Sequence, residues 1–181
     1  MSPLDDAGRL DHLRAEVAAF HTCLDGDLGA PVAACPGWDV ASLATHLGRV
    51  HRWATSALGS DDEPAFAPRP RTVSLAGWYA DGAAALVGEL AAPDPAQPCW
   101  TLWPPAVVGF WGRRQVLETL VHRWDAQTAL GRSAAVDADL VADLLLLLWK
   151  RRTLGDVLSA GAVLTGPQAT AETVLAAALI P

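Results

Sequence analysis

Prolines and glycines cut this chain into helix-length pieces, and that punctuation constrains the fold more than any other feature. Gly26, Gly29, Pro31 and the pair Pro36-Gly37 form the first interruption, and residues 59–72 (GSDDEPAFAPRPRT) form the second. The third is residues 92–105 (APDPAQPCWTLWPP), with five prolines in fourteen positions. Proline removes a backbone donor and clashes with the preceding turn, so none of these stretches continues a helix. Between them, apolar residues recur at helical spacing. Leu10, Leu13, Val17, Phe20 and Leu24 predict a first helix over about 7–25. Leu43, Leu47, Val50, Ala54 and Ala57 predict a second, opened at Trp38-Asp39-Val40 with Asp39 as N-cap. Leu75, Trp78, Leu86 and Leu90 predict a third over about 73–91, with Gly77, Gly82 and Gly88 lowering its propensity. The fourth covers about 106–130 and ends where Gly131 can supply a left-handed C-cap. Four helices joined in this way specify a mainly α fold, an antiparallel four-helix bundle.

A chain of 181 residues holds one full core and little more. Residues 1–132 are therefore expected to form the bundle and 133–181 a short, reduced C-terminal segment. That segment is expected to contain a helix from near Asp137, a glycine-punctuated stretch at 155–166 able to pair as a small hairpin, and a last helix capped by Thr170. An apolar share of 51% excludes general disorder. Thirteen Lys and Arg against twenty Asp and Glu, a net charge of -7, disfavour a phosphate backbone as partner. The longest apolar run, 144–149, is far below the roughly 20 residues that span a bilayer. The opening MSPLDDAGRL lacks a basic stretch followed by an apolar one, so a cytoplasmic location is expected. Cys23, Cys35 and Cys99 form no CxxC pair and are read as core or loop residues.

The fourth helix carries the chemistry. Glu118 and His122 stand four residues apart, so their side chains share one face and can bind one metal ion. His46, between Leu43, Leu47 and Val50 on the core side of the second helix, is the candidate third ligand. Two imidazoles and one carboxylate leave a coordination position open, as catalytic sites do. The spacing has a second reading: Arg114, Glu118 and His122 as a solvated ion-pair ladder, and His46 as a core histidine bonded to a carbonyl. Asp125 is either the acceptor for the other N–H of His122 or a surface ion-pair partner. His51 and Arg52 are expected to be exposed, His12 and His21 to have no functional role, and the tryptophans to be mainly core, with Trp53, Trp100 and Trp103 as candidates to line a pocket.

The blocks CPGWDVASLATHLGRVHRW and RRQVLETLVHRWDAQTALG, followed by LLLLLWKR, resemble the mycothiol-dependent maleylpyruvate isomerase family, whose N-terminal domain is a DinB-like metal-binding bundle. The resemblance covers about 8–132. It implies His46, Glu118 and His122 as metal ligands, normally for zinc, with mycothiol as a second cofactor. It further implies that an arginine from the smaller second domain reaches the site, and Arg151 occupies the matching position. The sheet-forming part expected of that second domain is nearly absent from this sequence.

A divalent ion held by two neutral histidines and one carboxylate keeps a net positive charge, so its open position favours an anion such as a thiolate. On this reading the protein is a zinc-dependent, mycothiol-using enzyme that acts on a small electrophile, by thiol addition and isomerisation or by S-transfer. Arg114, with Arg113 second, is then the candidate holder of a substrate carboxylate. Two alternatives use the same residues: an Fe(II) oxygenase built on a facial triad, and a non-catalytic helical bundle that binds a ligand or partner.

Overall fold

The computed structural model describes residues 6–134, 153–159 and 172. Four helices make up the first of its two units, Met1–Arg132: α1 (Asp6–Cys23), α2 (Val40–Ala57), α3 (Leu75–Ala91) and α4 (Val108–Ala129). α1 packs on α4 and α3, and α2 packs on α3 and α4. The chain is mainly helical, with the architecture of a DinB-like bundle. Among the described residues there is no strand, only isolated bridges at Pro31 with Asp39 and Pro98 with Val107. None of the described helices is long and apolar enough to cross a membrane.

The helices that carry the site are anchored at their N-termini by the loops before them. Asp39 accepts a 2.7 Å hydrogen bond from Ser42 N, and the carbonyls of Ala30 and Leu28 accept from the backbone N–H groups of Val40 and Ala41. These contacts satisfy donors that a helix start leaves unpaired. α4 has no side-chain cap. Instead the proline-rich loop folds back, and the carbonyls of Gln97 and Pro95 accept from Val108 N and Gly109 N at 3.0 and 2.8 Å. The C-terminus of α4 closes with Gly131 at φ +63°, Arg132 N donating to Gln127 O and Gly131 N to Thr128 O. This is the Schellman pattern, and the left-handed residue it needs is a glycine.

The core falls into two clusters. One gathers Phe20, Val32, Val40, Leu43, Leu47, Tyr79 and Ala83; the other gathers Leu13, Trp53, Leu86, Val108, Phe110 and Trp111. α2 and α3 approach closely at Gly48, where a Cβ would run into the ring of Trp78. Trp53, Trp100 and Trp111 pack on one another at ring separations of 5.2 to 5.9 Å, while Trp103, 59% exposed, lies edge-on to Phe110. The 59–72 connection is tied to α2: Trp53 Nε1 donates to Pro64 O, and Arg49 donates to the carbonyls of Phe66 and Ala67.

In the second unit, Ser133–Pro181, α5 (Leu154–Ser159) occupies the start of the stretch read as a possible hairpin. Thr153, a residue type that favours N-caps, precedes it, and Gly155 does not adopt the positive φ that a tight hairpin turn would use. The remainder of that stretch, the helix expected from Asp137, the helix expected after Thr170, and Arg151 lie outside the described residues.

Candidate metal centre

His46 projects from the middle of α2, and Glu118 and His122 project one turn apart from α4. The structure brings the three together, their ligand atoms within 4.8 Å of one another. Glu118 Oε1 lies 3.4 Å from His46 Nε2 and 3.4 Å from His122 Nε2. Those separations lie at the long, weak end of hydrogen bonding. They match the spacing of donors around a shared ion: two atoms roughly 2.05 Å from a tetrahedral centre lie about 3.4 Å apart. The donor set of two imidazoles and a carboxylate suits a divalent metal, and the residues therefore fit the ion that the sequence blocks imply.

The surroundings hold the ligands in place. Glu118 and His122 are buried, whereas the His46 side chain is 31% exposed, so the centre reaches solvent on the α2 side. His122 Nδ1 lies 3.3 Å from Asp125 Oδ2, which resolves the two readings of Asp125 in favour of the imidazole. A carboxylate there fixes the ring and turns Nε2 toward the centre. Arg123 is engaged elsewhere, with Glu16 of α1 at 2.6 Å and with Gln127. Arg114 Nη1 donates to Glu118 Oε2 at 2.6 Å, while its Nε is buried with no hydrogen-bond partner among the described residues. Arg113, by contrast, is exposed.

Charge follows from this geometry. Burial works to raise the Glu118 pKa, but hydrogen bonds from His122 and His46 and the guanidinium of Arg114 hold it well below the usual carboxylate range. Burial works to lower the His122 pKa, but hydrogen bonds to Asp125 and Glu118 raise it above the ordinary histidine value. The arrangement thus stabilises a positive charge between these acceptors, whether a proton on the imidazole or a metal ion. Two of the chain's three thiols, those of Cys23 and Cys99, are buried, and burial pushes both upward, away from the reactive thiolate.

Two residues depart from expectation. His51 is fully buried, its Nε2 3.0 Å from Thr119 Oγ1, and burial pushes it down to about 3, so it is neutral. Arg52 is half-buried, donating to Trp78 O with its guanidinium 4.2 Å from the Trp78 ring. Both were read as exposed because α2 shows one apolar stripe, while α3 and α4 cover it on two sides. Gln115, also fully buried on α4, went unnoticed, and neither of its amide atoms has a hydrogen-bond partner among the described residues. Its only sequence signal is its position, one turn before Thr119 and one before Glu118 on the same face.

No curated protein and no solved structure matches the chain. A family model does match, over residues 10–127, and it is described as the mycothiol maleylpyruvate isomerase N-terminal domain. The matched span includes α2, α4 and all three converging side chains, and on that ground the chain belongs to the mycothiol maleylpyruvate isomerase N-terminal domain family.

Proposed function

We propose that the protein is a zinc-dependent, mycothiol-using enzyme that adds the thiol to a small electrophile, with isomerisation or S-transfer as the outcome. The carrying observation is the convergence of His46, Glu118 and His122 at ion-sharing distances, within a domain whose family name specifies mycothiol. These three residues would hold the ion, leaving one position for an outside ligand. A divalent ion bound there would supply a Lewis acid that favours a thiolate over a thiol at neutral pH.

The chain's own groups do the rest. Asp125 holds His122 by its Nδ1, and Arg114 holds Glu118 by Oε2. Arg114 is 24% exposed and its hydrogen bond to Glu118 engages one of its five N–H groups, so its outer edge is suited to a substrate carboxylate. Arg151 is a second candidate for that task, by its place in the LLLLLWKR block. No cysteine belongs to the converging trio, and on this reading the reacting sulfur comes from the small thiol.

The test is metal analysis of the purified protein, followed by turnover assays with mycothiol and a panel of activated alkenes, including maleylpyruvate, and of electrophiles with leaving groups. The account expects one divalent ion per chain and product formation that needs both the ion and the thiol. Turnover unaffected by metal removal, or metal binding with no thiol-dependent conversion across the panel, would contradict it. The latter result would support a ligand-binding module.

A further inference from the structure

The two oxygens of Glu118 have different partners. Oε1 faces both imidazoles at 3.4 Å, and Oε2 accepts from Arg114 Nη1 at 2.6 Å. A charge-assisted hydrogen bond this short belongs to the strong class. Arg114 and Glu118 are one turn apart on one helix, so backbone geometry keeps them in register. Glu118 is 3% exposed, and a buried carboxylate oxygen that lost its donor would not readily gain water in exchange.

A carboxylate can meet a metal ion with one oxygen or with both. We propose that Arg114 is a positioning residue: by occupying Oε2 it restricts Glu118 to the single donor oxygen Oε1, and so preserves an open coordination position beside His46 and His122. The inference rests on the metal-site reading above. Charge points the same way. A divalent ion with Glu118 and Asp125 alone would form a neutral unit, whereas with Arg114 the unit is positive and attracts an anionic fourth ligand. Removing Arg114 therefore frees Oε2 to fill the vacant position and also removes the charge that draws the anion.

The experiment uses the full chain loaded with Co2+, whose visible absorption is far stronger in a four-coordinate than in a five- or six-coordinate site, and N-acetylcysteine as the thiol probe. Wild type, Arg114→Gln and Arg114→Lys are compared for Co2+ affinity, absorption spectrum and thiol-induced spectral change. Wild type is expected to give a strong four-coordinate spectrum that shifts with thiol. Arg114→Gln is expected to bind Co2+ with a weaker, higher-coordination spectrum and to need roughly 10-fold more thiol, while Arg114→Lys recovers part of both by keeping the charge. If Arg114→Gln does not fold, Arg114→Lys carries the test, with a spectrum and thiol affinity intermediate between wild type and no response. Wild-type spectra and thiol affinity in the substituted protein would overturn the inference, as would loss of Co2+ binding in a folded variant, since Arg114 would then be needed to build the site rather than to keep it open. Failure of the wild-type protein to bind Co2+ would instead overturn the metal site itself.

Discussion

Along α4, Phe110 and Trp111 join Trp53 and Trp100 in an aromatic cluster, whereas one to four turns later the same helix buries Gln115, Glu118, Thr119, His122 and Asp125. α2 repeats the contrast, with Trp53 at one end and His46 and His51 before it. The aromatic end is held by area and ring contact, which tolerate small displacements. The polar seam is held by directional contacts, Arg114 to Glu118 and His122 to Asp125 within α4 and Thr119 to His51 of α2, and an unpaired member costs about 1–3 kcal/mol. A helix that buried so many polar groups for packing alone would lose stability without return, and on the proposed reading the polar half of α4 is the half that binds the ion.

The contrast is open to breakage at three points. Trp111, fully buried among Trp53, Trp100 and Phe110, is expected to show the largest effect on stability. Trp111→Ala should cost about 3–5 kcal/mol in urea unfolding while the folded variant still binds one divalent ion. A loss below about 1 kcal/mol would show that the aromatic end is not the structural half. Next, Asp125→Asn should weaken metal affinity about 10–100-fold in competition with a chelator, because His122 loses the carboxylate that orients it. Unchanged affinity would make Asp125 a packing residue and erase the distinction from that side.

The smallest effect concerns acid. His51 is held near 3 in the folded protein, against about 6.5 when unfolded. Below pH 6.5 the unfolded chain therefore takes up a proton that the folded chain refuses, and stability falls by up to about 1.4 kcal/mol per pH unit down to pH 3. His51→Gln should remove roughly 2 kcal/mol of the loss seen between pH 6.5 and 5. The raised pKa of His122 acts in the opposite sense, adding stability at low pH that fades as pH rises through its folded value, but it is present in both proteins and cancels in the difference. Equal acid sensitivity of the two proteins would mean that His51 is protonated, or solvated, in the fold.

Local signals made the bundle legible. Asp39 before α2 and Gly131 after α4 act within a few residues of themselves, and the structure uses both in the roles their types favour. The seam was harder to read because burial of His51 and Arg123 depends on partners far along the chain. Arg123 pairs with Glu16 of α1, and His51 with Thr119 of α4, contacts that no periodicity within one helix records. Glu118 and His122 were visible as a pair at helical spacing, yet that spacing alone is the pattern of a solvated ion-pair ladder more often than of a metal site. The convergence with His46 is a tertiary fact, set by how α2 lies on α4. The tryptophans were legible as core by residue type, and three of them fill one another's space.

The central claim is that α2 and α4 together hold one divalent ion. Zn2+ titration of the 181-residue chain, compared with His46→Ala, tests it most directly, because His46 is the ligand that α2 contributes and its side chain is partly exposed, so the substitution should not collapse the core. The account predicts one ion per wild-type chain and an affinity reduced by at least about 100-fold in the variant. No stoichiometric binding by wild type, or equal affinity in the variant, would contradict it.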